Sequence, residues 1–189
     1  MPQVDAVHTP SSPSEVAGAL VDAYRTIIGT DPPSSDSYII PTAQAAVETA
    51  AFGQGLWNYN LGNITAANDS VDWMLLPGNS LHFRSYESLA DGAADLIRWL
   101  KRHGVIQYAD AGDISGYVNA LQNACYVGCD PGPYPAYQKG IENYVQQYGG
   151  VVPSTNNFQK VVSMAVGGVV LGGGLYLAWE WAARRYRLA

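Results

Sequence analysis

Hydrophobic positions recur at helical spacing in two early segments of the chain. In residues 14–29, Ser14 is a candidate N-cap, an apolar stripe follows, and Gly29 marks the end, so this segment predicts a helix. A second helix is predicted over residues 38–52, where alanines form an apolar face and a glycine follows at position 53.

The pattern changes after this second helix. Turn signals (Asn-Asp and Pro-Gly-Asn) separate short apolar runs in residues 63–86, which predicts two or three β-strands. Helical spacing returns in residues 85–104, behind serines that favour capping, and two or three more helices fit residues 113–124 and 134–149. The predicted fold class is α+β, mainly α, with a small helical bundle and one β lobe.

An uncharged apolar segment lies near the other end of the chain, in residues 161–179. About nineteen helical residues nearly span a hydrocarbon core of roughly 30 Å, and aromatic and then basic residues follow directly. We expect a transmembrane helix over residues 161–181, whose Gly168 and Gly172 suit self-association or packing against other membrane proteins. A glycine-rich strand or hairpin is the alternative.

These patterns divide the chain into five parts. The Pro/Ser-rich start lacks the features of a signal peptide, and the arginines after the apolar segment predict that residues 1–160 lie across the membrane from the tail. The predicted parts are a flexible lead at 1–12, a folded domain at 13–149, a linker at 150–160, the membrane helix at 161–181 and a basic tail at 182–189.

The charge balance narrows the classes of partner. Residues 1–160 hold 7 Lys/Arg against 15 Asp/Glu, and the whole chain carries a net charge of −6. An acidic body argues against a nucleic acid partner, because nucleic acid binding depends on basic patches. Thirteen tyrosines and five tryptophans suit carbohydrate or interface contact, although a tyrosine-rich core explains them equally well.

One carboxylate has an unusual setting. Glu48 is the sole acidic residue in residues 43–65, and its helix face is built of Ala43, Ala46, Val47 and Ala51. Apolar surroundings disfavour an ionised carboxyl and raise its pKa, which suits a general acid. The alternative is a glutamate at a helix end that is exposed to water.

Three motifs carry a resemblance to a known family. "AQAAVET…FG…NYNLGNI", "FRSYESLADGAADLIRWL" and "CDPGPYPAYQKGIENYVQQY" occur in that order over residues 36–148. Together they resemble the flagellar-type and phage-borne glucosaminidases of the lysozyme-like superfamily, which cleave peptidoglycan. The resemblance implies a lysozyme-like helical domain with a small β lobe, and it implies that Glu48 is the catalytic acid.

The same resemblance suggests further site residues. Asn58, Tyr59 and Asn60 fall in the family's substrate-lining segment, although turn formation and core packing explain them as well. Tyr126 corresponds best to the active-site tyrosine, and Tyr137 corresponds to the tyrosine that starts the final helix. The late motif departs from the family's Tyr-x-Thr-Asp-Pro pattern, with an extra residue and two cysteines.

The second catalytic group is left open by the sequence. Glycosidases usually pair the acid with a second carboxylate, and Asp69 and Asp72 are the candidates, with Asp72 preferred. Turn formation is the simpler role for both. Without a second carboxylate, the N-acetyl group of the substrate acts as nucleophile, or Glu48 serves as acid and base in a lytic transglycosylase.

The cysteines and histidines do not indicate a metal. Cys125 and Cys129 are the chain's two cysteines and the three histidines lack ligand spacing, so no metal and no cofactor is expected. A short-loop disulfide between the two cysteines and a pair of buried free thiols are both compatible with the spacing.

These inferences combine into one functional hypothesis. The chain is expected to be a membrane-anchored peptidoglycan hydrolase (glucosaminidase, muramidase or lytic transglycosylase), whose partners are glycan strands and the lipid membrane. A virion-associated lysin in the membrane of a phage fits best, and a hydrolase of a bacterial membrane facing the wall is the nearest variant. The alternatives are a non-catalytic structural or glycan-binding module on a lysozyme-like scaffold and a pore-forming lysis protein.

Overall fold

The computed structural model describes residues 3–53, 55–66, 72–127 and 134–154. This part of the chain is mainly helical with one small antiparallel sheet, which confirms the predicted α+β, mainly α class. The elements in chain order are α1 (Pro13–Ile28), α2 (Asp36–Glu48), β1 (Trp73–Leu75), β2 (His82–Arg84), α3 (Leu89–Arg102), α4 (Ile106–Asp110), α5 (Ile114–Asn123) and α6 (Tyr134–Tyr148).

Helix α1 begins two residues earlier than the sequence predicts. Its N-cap is Ser12 and not Ser14, because the Ser12 side chain accepts from the N–H of Glu15 while the Glu15 carboxylate accepts from the N–H of Ser12. This capping box, together with Pro13 at the first helical position, satisfies N–H groups that the helix leaves unpaired. The helix ends at Gly29, as predicted.

Helix α2 is the centre of the domain. Ten of its thirteen residues are buried, because α1, α4 and α6 all pack against it. It starts at Asp36 and ends at Glu48, four residues before the predicted end at Phe52. A helix covered on almost all sides can bury polar side chains only where neighbouring elements supply partners for them.

The β lobe is a two-stranded hairpin tied to the helical part. In the β1–β2 pairing Met74 lies opposite Phe83, and both side chains are buried. Arg84 forms an ion pair with Asp95 of α3 at 3.1 Å, and the Tyr86 hydroxyl donates to the same carboxylate at 2.6 Å. Arg84 therefore braces the lobe against the helix.

The N-terminal segment lies against the β lobe and the loop after α2. Hydrogen bonds run from the N–H groups of Val4, Thr9 and Ser11 to the carbonyls of Trp73, Leu56 and Phe52. The His8 ring stacks on Trp57, with the ring centroids 3.6 Å apart. The sequence predicted a flexible lead for residues 1–12; the described residues from 3 onward are instead held by backbone pairing, which Pro/Ser content does not reveal.

The end of the described chain packs on α1. The N–H of Ser154 donates to the carbonyl of Ser14, and the Ser14 hydroxyl donates to the carbonyl of Val152. A Cβ at Gly18 would lie 2.0 Å from the carbonyl oxygen of Ser154, so only glycine permits this approach. The predicted linker is thus fixed to α1 as far as residue 154.

Several predictions fall outside the described residues. The expected membrane helix at 161–181, with Gly168 and Gly172, and the basic tail at 182–189 are among them, as are Asp69 and Cys129. Within the described ranges, no helix has the length and apolar character needed to cross a membrane.

Candidate active site

The site is built around the abrupt end of α2. Thr49 caps the helix, its hydroxyl donating to the carbonyl of Ala45 at 2.6 Å and accepting from the N–H of Phe52. Ala50, Ala51 and Phe52 then adopt positive φ values of 50°, 57° and 63°. Left-handed backbone costs an L-residue roughly 1–2 kcal/mol, so three in succession form a strained turn, which the surrounding packing has to hold. This turn makes Glu48 the last residue of α2.

Glu48 is a buried carboxyl with partners on both oxygens. Its residue exposure is 8 %, and the Tyr137 hydroxyl of α6 donates to Oε1 at 2.9 Å. The side-chain amide of Asn63 donates to the Glu48 carbonyl at 2.6 Å and reaches Oε2 at 3.5 Å. The prediction that α2 buries Glu48 is therefore correct, and the carboxyl is held by polar groups as well as by the apolar helix face.

Tyr137 keeps its proton in this setting. Burial first, and then the charges and hydrogen bond around it, of which Glu48 contributes most, raise the pKa of Tyr137 well above its ordinary value. A phenol that does not ionise remains a hydrogen-bond donor at any pH at which the protein functions. Tyr137 therefore fixes the orientation of the Glu48 carboxyl.

Tyr126 is linked to Glu48 indirectly, through the loop that contains Gly62 and Asn63. Its hydroxyl donates to the carbonyl of Gly62, the residue before Asn63, and its ring packs edge-on against Trp99 with centroids 4.7 Å apart. A Cβ at Gly62 would lie 2.7 Å from the Tyr126 hydroxyl oxygen, so this contact requires glycine. Tyr126 thus supports the loop that presents Asn63 to Glu48.

The side-chain amides of Asn58 and Asn60, which were predicted to bind substrate, are both hydrogen-bonded within the protein. Asn58 accepts from the N–H of Val7 and donates to the carbonyl of Asp5 and to the Ser85 hydroxyl. Asn60 accepts from one backbone N–H and donates to two carbonyls, those of Ile64 and Arg84. These bonds use the full donor capacity of each amide. Both residues shape the loop, and their substrate contact stays a prediction.

Tyr59 has a different position in the same loop. Its backbone is left-handed with φ 55°, its N–H donates to the Thr9 hydroxyl, and its side chain is half-buried. The part of the ring that remains exposed is available to pack against a sugar face. Its predicted role in substrate binding therefore remains compatible with the geometry.

Asp72 is placed in the β lobe immediately before β1. Its carbonyl accepts from the N–H of Ser85, and its side chain is partly exposed. The contacts of the described residues do not bring its carboxylate to Glu48, so its role as the second acid stays a prediction. Asp69, the other candidate, lies outside the described residues.

The structure shows whether one of the two cysteines is a free thiol or disulfide-bonded. Cys125 is disulfide-bonded, so the alternative of two free thiols is wrong. The only other cysteine in the sequence, Cys129, lies outside the described residues. Within the described ranges, no group of three or more His, Cys, Asp or Glu side chains is arranged to hold a metal.

Asn63 is the site residue that sequence reasoning missed. Its side-chain amide donates to the Glu48 carbonyl at 2.6 Å, while Tyr137, which was predicted, donates to the carboxyl at 2.9 Å. Its backbone is left-handed with φ 47°, a conformation in which asparagine is enriched. The Gly-Asn pair at 62–63 is visible in the sequence, but such a pair indicates a turn and does not identify a site residue.

A separate cavity of about 440 Å³ lies between α1, the loop before α2 and Pro153. Its one basic lining residue, Arg25, is already paired with Asp22 and Asp31. Glu48 does not line this cavity, which therefore plays no part in the candidate active site.

Together these observations define a mainly helical α+β domain with a buried, oriented carboxyl where the central helix meets the β-lobe loop. No protein-family model and no curated protein matches the chain. Among solved structures, the chain is similar to the glycoside hydrolase domain from Salmonella typhimurium FlgJ, with 20% identity over 74% of this chain and 89% of that chain, at a TM-score of 0.48.

Proposed function

We propose that the protein cleaves the glycan strand of bacterial peptidoglycan, with Glu48 as the general acid. One observation carries this proposal: Glu48 is 8 % exposed at the end of α2, and its two oxygens face different donors, Tyr137 and Asn63. A surface glutamate needs neither burial nor two converging donors. A glycosidic oxygen leaves readily only when a positioned acid protonates it, and a buried carboxyl suits that task.

The two oxygens of Glu48 have different roles in this proposal. Oε1 accepts the Tyr137 proton at 2.9 Å, whereas the Asn63 amide approaches Oε2 only to 3.5 Å, the outer limit of a hydrogen bond. Because Oε1 accepts the hydrogen bond of Tyr137, we assign Oε2 as the oxygen that carries the acidic proton and delivers it to the leaving group. Tyr137 and Asn63 are positioning residues, because they act through Glu48.

The proposal includes three alternatives for the group that stabilises the reacting sugar. A carboxylate about 5 Å from the acid gives retention, and one about 6.5–9.5 Å away gives inversion. Asp72 is our candidate if the β lobe closes over substrate. Otherwise the N-acetyl group of the substrate attacks the anomeric carbon, or Glu48 acts as acid and then base in a lytic transglycosylase. Tyr59 packs against a sugar in either case.

The location of the enzyme belongs to the same proposal. The uncharged segment at 161–179 and the arginines that follow Trp181 support a single-pass anchor at 161–181 that holds the domain against the cell wall. A virion-associated lysin used for entry by a membrane-containing phage fits this arrangement, and a hydrolase of a bacterial membrane facing the wall is the variant.

Zymography on purified peptidoglycan tests the proposal. The full chain in non-ionic detergent is compared with Glu48→Gln, which keeps the shape of the side chain and removes its titrating proton. Glu142→Gln is the matched control, because Glu142 lies on the outer face of α6 in an ion pair with Lys139. We expect clearing by the wild type and the control, and clearing reduced at least about 100-fold for Glu48→Gln.

Two outcomes would contradict the proposal. Equal clearing by Glu48→Gln would place the chemistry on other residues. No clearing by a folded wild-type chain would favour a non-catalytic glycan-binding module on the same scaffold. If clearing occurs, mass spectrometry of the fragments identifies the bond that is cut, because a transglycosylase product is anhydro and a hydrolase product is reducing.

A further inference from the structure

The cations of the described domain fall into two groups. Arg25, Arg84 and Lys139 each form an ion pair with one or more carboxylates. The remaining three lie within five positions at the end of α3: Arg98, Lys101 and Arg102. All three side chains are exposed, and none has a carboxylate partner among the described residues.

This separation is unexpected in an acidic protein. Residues 1–160 contain 15 Asp/Glu for 7 Lys/Arg, so carboxylate partners are abundant. Basic residues in the last turn of a helix complement its dipole, and that accounts for Lys101 and Arg102. It does not account for Arg98, one turn earlier. We call these three residues the α3 basic cluster.

The α3 basic cluster is connected to the candidate active site through aromatic rings. Trp99, which lies within the cluster, packs on His103 at 4.2 Å on one side and on Tyr126 at 4.7 Å on the other. The Tyr126 hydroxyl donates to Gly62, next to the asparagine that holds Glu48. Trp99 and Tyr126 therefore connect the end of α3 that carries the cluster to the Gly62–Asn63 loop of the site.

We infer that the α3 basic cluster binds the carboxylates of the peptide side chains that project from a peptidoglycan glycan strand. This inference rests on the proposed function, because it assigns a partner for the parts of the substrate that the site around Glu48 does not reach. Guanidinium groups bind carboxylates in a planar two-point geometry, and both arginines of the cluster are free to do so.

A lipid surface is a poorer partner for the same cluster. Recruitment by anionic lipids generally requires about 4–8 Lys/Arg or an exposed apolar face. The cluster supplies three cations, and the large hydrophobic side chains that are exposed in the described residues (Val7, Leu75 and Val152) lie elsewhere.

The test measures binding separately from cleavage. The full chain carrying Glu48→Gln, in neutral detergent, is sedimented with purified sacculi, with sacculi whose carboxylates have been converted to amides, and with vesicles of anionic lipid. The test variant adds Arg98→Gln, Lys101→Gln and Arg102→Gln. The matched control adds Arg25→Gln and Lys139→Gln, which remove charges that are already paired. Equal thermal midpoints for all three proteins establish that each is folded.

We expect the triple variant to bind intact sacculi at least about fivefold more weakly than its parent, and the control to bind equally. Amidated sacculi should bind both proteins alike, and added salt should weaken only the carboxylate-dependent part. The inference is overturned if the triple variant binds intact sacculi as tightly as the parent, if amidation of the carboxylates changes nothing, or if the cluster instead governs binding to vesicles. The zymogram decides the proposed function independently of these results.

Discussion

The hydroxyl of Tyr137 lies 2.9 Å from Oε1 of Glu48, although the two residues are 89 positions apart in the chain. One residue closes the central helix α2, and the other lies in the first half of α6. The packing of α2 against α6 therefore sets the position of the carboxyl. Any change that moves one helix along the other changes the geometry of the proposed acid.

Replacing Tyr137 with Phe should lower activity about 10- to 100-fold and move the pH–activity profile to higher pH. The hydroxyl stabilises the ionised form of Glu48, so its removal lets the carboxyl keep its proton to a higher pH. A pH series of initial rates on soluble glycan fragments measures both effects. Tyr24→Phe is the control, because it deletes a tyrosine–carboxylate hydrogen bond to Asp110, which lies outside the site. A profile that only drops, without shifting, would contradict this role.

Asn63 supports two separable properties, its hydrogen bonds to Glu48 and its left-handed backbone. Asn63→Gly keeps the backbone and removes the amide, so we expect a folded protein with at least about tenfold lower activity. Asn63→Ala should lose the same activity and be about 1 kcal/mol less stable than the glycine variant. Chemical unfolding with parallel rate measurements distinguishes the two. Full activity in the glycine variant would remove Asn63 from the site.

The left-handed turn after α2 predicts a stabilising substitution. Ala51 has φ 57°, which glycine adopts without strain, so Ala51→Gly should raise the free energy of unfolding by about 1 kcal/mol and Tm by about 2–4 °C. Ala46→Gly is the opposite case, because Ala46 is fully buried within α2 and should lose at least that much. Calorimetry measures both, and a lower Tm for Ala51→Gly would show that the turn is not strained.

Gly92 allows α3 to pack closely against the site loop. A Cβ there would lie 2.0 Å from the carbonyl oxygen of Tyr59, so Gly92→Ala should displace the loop and cost about 1–3 kcal/mol. Gly150→Ala, whose Cβ would meet nothing within 4 Å, should change stability by less than about 0.5 kcal/mol. Urea unfolding compares them. Equal stabilities would mean that the loop gives way without cost.

Tyr24 predicts a loss of stability in alkali. Burial, the hydrogen bond to Asp110 and the negative charge of that carboxylate raise the pKa of Tyr24 to about 12. The unfolded chain ionises near pH 10, so the stability from Tyr24 is complete below pH 10 and is lost as the pH rises through 12. The difference in unfolding free energy between wild type and Tyr24→Phe should therefore shrink from pH 9 to pH 12. A constant difference would contradict the pKa assignment.

Local signals in the sequence predicted the helices best. The apolar stripe and the serines before it predict a helix over residues 85–104, and α3 lies within that range from Leu89 to Arg102, because both signals act within one turn. The end of α2 was missed for the opposite reason. Ala50, Ala51 and Phe52 favour a helix or are neutral to it, and only tertiary packing forces them into a left-handed turn.

The residues of the candidate site also differ in how far local signals could predict them. An apolar helix with a single carboxyl sufficed to select Glu48, because burial of a helix face is visible in sequence. The roles of Asn58 and Asn60 depend on partners 24 to 53 positions away, such as Arg84 and Asp5, and no local pattern reveals them. Asn63 was missed because its side chain becomes important only after the loop folds back to α2.

The close packing of Ser154 on Gly18 determines which part of the domain first takes up a mechanical load. A pull on the chain beyond residue 154 is transmitted first to α1, through Ser14 and the close backbone contact at Gly18. These contacts have to break before the pull reaches α6, which ends at Tyr148 and carries Tyr137. The hydrogen bond that orients Glu48 is therefore shielded from the first part of the load.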